Sequence, residues 1–149
     1  MSTPEPDDLP SSSKPHDDPS YPVQRGDAQW REALGSLPYE VARHGATERA
    51  FTGRYWNHWA DGVYHCVGCG EALFDASAKF DAGCGWPSWW REAVPGRIER
   101  LADDSHGMRR VEVRCTRCGT HLGHVFDDGP QPTGERYCIN SAAIDFRTR

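Results

Sequence analysis

Six cysteines are the residues of this 149-residue chain with the most evident chemical potential. Four of them form two Cys-x-x-Cys pairs, Cys66 with Cys69 and Cys115 with Cys118, and a glycine follows each pair. Two residues between cysteines let both sulfurs of a tight turn face one ion, and two such turns supply the four thiolates that structural zinc prefers. The spacing predicts a zinc site that joins two distant hairpins, with disulfides or reduced buried thiols as the alternatives. Four protein ligands leave no open coordination position, which argues against a zinc ion that activates water.

Cys138 lies outside this set, in a candidate strand whose alternate residues share one face. Arg136, Cys138 and Asn140 would line that face, and the apolar Tyr137 and Ile139 would line the other. A neighbouring guanidinium lowers the pKa of a thiol and raises its thiolate fraction, as a nucleophile requires. The alternative is a solvated strand face with an inert cysteine, and the strand alone does not decide between them.

Cys84 lies between two glycines, on a predicted loop with room to move. A thiol there either reaches a partner on a rigid strand or only fills a turn. His121 and His124 follow the second Cys-x-x-Cys pair, and on a regular strand they would face opposite ways. A β-bulge at Gly123 would bring both imidazoles to one side. Each histidine alone is more often a structural residue than a catalyst.

Short helices and strands are predicted to position these side chains. Residues 27–45 have helical periodicity, with Asp27 as N-cap, Pro38 beginning a second helix and Gly45 ending it. From residue 51 onward the pattern changes to short segments broken by glycine. The strand candidates are 63–67, 72–75, 97–101, 108–114, 121–126 and 135–146. We expect an antiparallel, mainly β domain with small helices in front.

Composition separates the first 25 residues from the rest of the chain. They contain six prolines, five serines and four aspartates, too little apolar surface to offset the entropy of ordering. We predict a disordered acidic tail over 1–25 and one domain over 26–149. The net charge of −5 argues against nucleic acid as a partner, and neither a secretory signal nor a membrane span is evident. We therefore expect a cytoplasmic monomer with reduced thiols.

Several separated motifs resemble the signatures of the peptide-methionine (R)-S-oxide reductases of the MsrB type. They lie at 47–53, 85–88, 121–126 and 136–140, together with the two Cys-x-x-Cys-Gly turns. The resemblance covers residues 27–147. It implies two antiparallel β-sheets in the β-tent arrangement, short N-terminal helices and a structural zinc ion remote from the active site. Trp89, where the family usually has phenylalanine, and Trp90 depart from the pattern.

The resemblance also implies roles for single residues. Cys138 matches the nucleophile, Cys84 the resolving cysteine, and Trp86 the wall that receives the S-methyl group of the substrate. The polar side of the pocket would consist of His121, His124, Arg136 and Asn140. The implied activity is reduction of the R epimer of methionine sulfoxide in oxidised proteins or peptides, a protein repair under oxidative stress. Cys138 would become a sulfenic acid and then a disulfide with Cys84, which thioredoxin would reduce.

Two other classes of function are compatible with part of the sequence. A zinc-stapled β module could bind a protein partner without catalysis, because a fold does not fix a function. A zinc-dependent hydrolase or deaminase is the other. The intact Cys138, Cys84 and histidine pair argue against the first, and the closed four-thiolate site argues against the second.

Overall fold

The computed structural model describes residues 8–149 of the chain. Within them lie helices α1 (Asp27–Leu34) and α2 (Ser36–His44). The strands are β1 (Gly62–Cys66), β2 (Ala72–Asp75), β3 (Lys79–Phe80), β4 (Ser88–Trp89), β5 (Ile98–Asp103), β6 (Arg110–Cys115), β7 (His121–Phe126), β8 (Arg136–Ile139) and β9 (Ile144–Thr148). No helix in this part of the chain has both the length and the apolar character needed to cross a bilayer.

The strands form two antiparallel sheets, which confirms the predicted fold class. One sheet has the order β2-β1-β9 and the other the order β3-β4-β8-β7-β6-β5. The candidate strand at 135–146 is in fact two strands. A 3-10 turn at Ser141–Ala143 separates β8 from β9, and the chain passes there from the larger sheet to the smaller one.

The helix ends differ slightly from the sequence prediction. Gly26 rather than Asp27 is the N-cap of α1, and Asp27 is its first helical residue. Helix α2 begins at Ser36, which leaves Pro38 in the first turn, where a missing N–H costs no helical hydrogen bond. Gly45 ends α2 as predicted, in the left-handed conformation with φ 70°.

Trp89 lies in the core between the two sheets. Its side chain is fully buried, and its ring stacks on Phe74 of the smaller sheet with centroids 4.6 Å apart. Tyr64 meets the same indole edge to face at 4.9 Å. An aromatic cluster of this kind is worth more than its buried area alone. The larger ring at this position therefore fills the core and does not line the cavity beside Cys138 described below.

Residues 8–25 of the predicted tail pack against the rest of the domain in the structure, and residues 1–7 lie outside the described part. We call residues 10–23 the strap, because they run over β5, β6 and the second cysteine turn. Ser11 pairs with Ala102 in β5, and the Val23 amide donates to the Arg117 carbonyl at 2.8 Å. Tyr21 is 2% exposed. Composition misleads here because most of the strap's bonding uses backbone carbonyls, which composition does not reveal.

Candidate active site and metal centre

Four cysteine sulfurs meet at one point between the sheets. The Sγ atoms of Cys66, Cys69, Cys115 and Cys118 all lie within 4.8 Å of one another, and none of these residues forms a disulfide. The Cys66–Cys118 and Cys69–Cys115 sulfurs are 3.6 and 3.5 Å apart. A tetrahedral site with metal–sulfur bonds of about 2.3 Å requires sulfurs roughly 3.8 Å apart. The cluster can therefore hold a metal ion, as the spacing predicts.

Each cysteine turn comes from a different sheet. Cys66 ends β1 of the smaller sheet, and Cys115 ends β6 of the larger one. The glycine after each pair, Gly70 or Gly119, has a φ near +80° (81° and 75°), which a side chain would disfavour. A metal ion in this site would join the two sheets.

Cys138 lies at the centre of the larger sheet, on β8 between β4 and β7. Antiparallel pairing places it directly across from Ser88 on one side and His124 on the other. Directly paired side chains on one face are close enough to interact. Tyr137 and Ile139, which alternate with Cys138, are buried at 3% and 0% exposure. The apolar side chains of this strand therefore pack into the core, as the alternation of residues predicts.

A β-bulge brings the two histidines of β7 together. Val113 pairs with Gly123 and Arg114 with His121, so Leu122 is the extra residue of β7. The rings of His121 and His124 are consequently 5.7 Å apart. The sequence permits a bulge at Gly123, and the structure has one whose extra residue is the neighbouring Leu122.

Each imidazole is bound to a different carboxylate through a different nitrogen. His121 uses Nδ1, 2.6 Å from Glu112 Oε2, and His124 uses Nε2, 2.7 Å from Asp103 Oδ2. Burial raises the pKa of both carboxyl groups, but the hydrogen bonds they accept outweigh burial and lower it below its usual range. Both acids are therefore ionised, and each accepts a hydrogen bond from the imidazole N–H that faces it. Burial in turn lowers the pKa of His124.

The Cys84 loop holds its thiol beside Cys138. The two sulfurs are 4.0 Å apart, against about 2.05 Å in a disulfide. The glycines on either side, Gly83 and Gly85, have φ of 71° and 88°. A Cβ on Gly85 would lie 2.8 Å from the Ala50 Cβ, so this position also requires the smallest residue for space. The loop must move by about 2 Å to join the sulfurs.

Glu48 connects the indole of Trp86 to the strand end at Asn140. Its carbonyl accepts a hydrogen bond from Trp86 Nε1 at 3.1 Å, and its amide donates to Asn140 Oδ1 at 2.9 Å. The Glu48 side chain is buried and accepts from the Ala142 amide at 2.8 Å. One residue of an irregular segment therefore fixes both sides of the space around Cys138.

That space is a small cavity of about 100 Å³, which we call the pocket. It is lined by Thr47, Trp86, Arg110, Gly123, His124, Phe126, Cys138, Ile139 and Asn140. The structure thus brings together four of the residues singled out in the sequence: Cys138, Trp86, His124 and Asn140.

The other three predicted site residues surround the pocket without lining it. Cys84 approaches Cys138 from the loop, and His121 faces a second cavity described below. Arg136 binds Asp128 at 2.9 Å and lies over the ring of Phe126.

Some residues of the site were not singled out in the sequence. Thr47 and Phe126 fall inside recognised motifs, so their position in the sequence could have identified them as candidate site residues. Asp103, Arg110 and Glu112 are ordinary charged residues in the sequence. Only the pairing of β5 and β6 with β7 brings them to the histidines.

The expected low pKa of the Cys138 thiol is wrong. Burial raises it to about 12, with a further contribution from Cys84, and the positive charge of Arg136 only partly opposes these effects. The sequence shows the guanidinium but not the depth of the thiol. In the resting protein Cys138 is therefore a protonated thiol.

We expect Cys138 to react slowly with iodoacetamide at pH 7 and about tenfold faster for each unit of pH up to pH 10, because only the thiolate reacts. Below the pKa the thiolate fraction rises in proportion to hydroxide, so no plateau should appear in this range. Peptide mass spectrometry that follows the Cys138 adduct over time measures the rate. A plateau below pH 9 would contradict the raised pKa.

Comparison with known proteins gives a consistent result. The SelR domain matches residues 34–148. A protein of Methylibium petroleiphilum called peptide methionine sulfoxide reductase MsrB is 62% identical over 133 residues, which cover 89% of this chain and 96% of that relative. Proteins of the same name from Variovorax paradoxus and a Synechococcus strain are 57% and 52% identical. Each alignment covers 86% of this chain, and 98% and 94% of the respective relative.

Proposed function

This chain belongs to the SelR-domain family of MsrB-type peptide methionine sulfoxide reductases, and on that premise we propose that it reduces the R epimer of peptide-bound methionine sulfoxide. The observation that carries the proposal is the pocket, in which a thiol, an imidazole and an indole meet. A methyl sulfoxide needs an apolar surface for its methyl group, a proton for its oxygen and a nucleophile for its sulfur. The pocket offers one group for each need.

Trp86 and Asn140 bind and orient the substrate. The indole receives the S-methyl group through apolar and sulfur–aromatic contact, worth ~0.3–1.5 kcal/mol. Its Nε1–H is already used by the Glu48 carbonyl, so the ring edge is fixed and the face remains for the substrate. Asn140 sits at the end of the same strand as Cys138 and closes the polar side of the pocket.

His124 moves the proton. It is the histidine that faces Cys138 across the strand pair, and it lines the pocket, whereas His121 does not. Its Nε2 is held by Asp103, so Nδ1 is left to take the proton of the Cys138 thiol and pass it to the sulfoxide oxygen. The carboxylate stabilises the imidazolium that forms between the two transfers. Because the resting thiol is protonated, the protein itself supplies the proton that the sulfoxide needs.

The redox steps balance with two thiols. The sulfur of Cys138 attacks the sulfur of the sulfoxide. The sulfoxide oxygen and the thiol proton end on Cys138, which becomes a sulfenic acid, and methionine leaves reduced by two electrons. The Cys84 thiol then attacks Cys138 sulfur, a disulfide forms and water leaves. A dithiol protein such as thioredoxin reduces the disulfide by two exchange steps and becomes oxidised itself. Such recycling suits the reducing cytoplasm, as does a protein-repair role under oxidative stress.

Zinc is the metal we propose for the four-cysteine centre, held by Cys66, Cys69, Cys115 and Cys118. Four thiolates at these separations suit its tetrahedral preference and leave no position for substrate. The ion would therefore stabilise the junction of the sheets and take no part in the chemistry.

The test of this function uses a peptide with methionine-R-sulfoxide and its S-epimer counterpart, each with dithiothreitol. We expect turnover of the R epimer only, because the methyl group and the oxygen must face Trp86 and His124 at the same time. Separation of the reduced peptide by chromatography measures the product. Equal turnover of both epimers, or of neither, would contradict the proposal.

Loss of the Cys84 thiol should separate the two halves of the cycle. Without a reductant, we expect Cys84→Ala to complete one turnover per protein. With dithiothreitol we expect sustained activity, because the small dithiol reaches the sulfenic acid directly. With thioredoxin as reductant we expect the rate to fall about tenfold or more, since no intramolecular disulfide forms. Recycling by thioredoxin at the wild-type rate would show that Cys84 is not the resolving residue.

A further inference from the structure

The strap and a buried arginine connect the N-terminal segment to one histidine of the site. Arg114 is 1% exposed. Its Nη1 donates to the Lys14 carbonyl and its Nη2 to the Ser12 carbonyl, both at 2.7 Å, and its Nε donates to Glu112 at 2.9 Å. Two of the three guanidinium nitrogens are therefore satisfied by backbone of the strap. A buried guanidinium without these acceptors would lose hydrogen bonds that no solvent replaces.

Glu112 connects Arg114 to His121 through hydrogen bonds to both side chains. Its Oε2 atom accepts from both Arg114 Nε and His121 Nδ1, and the residue is 4% exposed. Because the ionised carboxylate has no proton to give, the hydrogen of this bond belongs to His121 Nδ1. In the neutral imidazole the other nitrogen, Nε2, is then an acceptor.

The His121 Nε2 atom makes no hydrogen bond within the described part of the fold. It is fully buried and has no hydrogen-bond partner among residues 8–149. It belongs to a ring that lines a second cavity of about 360 Å³, which we call the chamber. Thr47, Arg110 and His124 line both the chamber and the pocket. A buried acceptor beside the site, held in one orientation, is typical of preorganised catalytic groups.

We propose that the strap, Arg114 and Glu112 form a positioning relay that fixes the hydrogen of His121 on Nδ1 and keeps Nε2, in a ring that lines the chamber, as a buried acceptor. The acceptor orients a water molecule next to the proton-carrying His124. The inference deepens the proposed function. It gives a catalytic purpose to residues 10–23, all of which precede the SelR match, which begins at residue 34.

Activity is the first test, in the full-length chain. Arg114→Met should lower kcat about tenfold with KM changed less than about twofold, because the relay orients a proton-transfer group and does not bind substrate. Arg114→Lys should recover part of the loss, since an ammonium still donates to Glu112. The matched control is Arg100→Met, which removes a half-buried arginine on β5 whose partners are Glu135 and Tyr137. We expect that control to keep the wild-type kcat. Wild-type kcat in folded Arg114→Met would overturn the proposal.

The tautomer of His121 is the second test, and it needs no turnover. Nitrogen NMR of protein labelled with ¹⁵N-histidine distinguishes a protonated from an unprotonated ring nitrogen. We expect hydrogen on Nδ1 in the wild type and a mixture of tautomers in Arg114→Met. An unchanged His121 signal overturns the relay even if the protein reduces no sulfoxide, so failure of the relay and failure of the proposed function are distinguishable.

Tyr21→Ala keeps the proposal testable if Arg114→Met does not fold. It removes a buried anchor of the strap, whose hydroxyl donates to Glu99 on β5 at 2.7 Å and also interacts with Arg114, and it leaves the guanidinium, the Glu112 carboxylate and the His121 ring chemically unchanged. Hydrogen exchange over residues 10–23 should rise, with the same loss of kcat and the same mixing of tautomers. A released strap with unchanged kcat and an unchanged His121 signal would show that the strap does not position the histidine.

Discussion

Cys138→Ser should abolish reduction of methionine-R-sulfoxide, with a loss on the order of a thousandfold or more. A hydroxyl is a far weaker nucleophile than a thiol, and it cannot become a sulfenic acid that a second thiol resolves. Serine differs from cysteine by one atom, so the neighbouring contacts with Ser88 and His124 should survive. The assay is peptide reduction with dithiothreitol in excess.

Cys84→Ser is the matched control for this substitution. It changes the other thiol of the pair, 4.0 Å away, in the same chemical way, and it should retain activity with dithiothreitol. Mass spectrometry after one equivalent of substrate should then find an oxidised Cys138 in the control and no oxidised cysteine in Cys138→Ser. Turnover that survives in Cys138→Ser would rule out Cys138 as the nucleophile.

Cys118→Ser should lose the metal and the fold together. The residue is fully buried, and its loss breaks a centre that joins one sheet to the other. Binding free energy of a structural zinc ion is folding free energy, on the order of 10 kcal/mol, and a domain of this size has about 5–15 kcal/mol of stability in all. We therefore expect a largely unfolded chain at 37 °C.

Metal analysis and circular dichroism measure this outcome. Cys84→Ser again supplies the control, because it removes a cysteine outside the cluster and should keep a full complement of zinc. Chelation of the wild-type protein should reproduce the loss of structure seen in Cys118→Ser. Full zinc content and a native spectrum in Cys118→Ser would show that the centre does not depend on four thiolates.

The four-cysteine cluster was predictable because its geometry is local. A Cys-x-x-Cys-Gly turn forms from consecutive residues, so the ligand set of Cys66 and Cys69 with Cys115 and Cys118 follows from spacing. The sequence could not show that one turn ends a strand of the smaller sheet and the other a strand of the larger sheet. That fact depends on strand order, which is set by contacts between distant residues.

The strap was not predictable because its partners lie elsewhere in the chain. Its serines and prolines look like a disordered segment, and only Tyr21 is a buried apolar anchor. Many of its other bonds come from Arg114, from Arg117 and from the backbone of β5, about a hundred residues later. The sequence does not show that Arg114 is buried, so it does not show that its guanidinium requires backbone acceptors from the strap.

The raised pKa of the Cys138 thiol could not be predicted for the same reason. The sequence shows that Arg136 is two residues away, and this suggests a low pKa. The fold adds burial, which acts in the opposite direction and dominates. Likewise, Asp103 and Glu112 reach the histidines only through strand register, so proximity in sequence was a poor guide to the charges that matter.

The double hydrogen bond of Glu48 has a consequence for the size of alkyl group that the enzyme accepts. Trp86 and Asn140 are tied to the carbonyl and the amide of one residue, so the indole cannot retreat from the nucleophile's strand without breaking one of these bonds. The distance between the Trp86 indole and the strand of Cys138 is therefore fixed. On the proposed function, we expect the gap to admit a methyl sulfoxide, with each additional methylene costing about 1–3 kcal/mol of transition-state binding. We therefore expect methionine sulfoxide to be reduced faster than sulfoxides with bulkier alkyl groups.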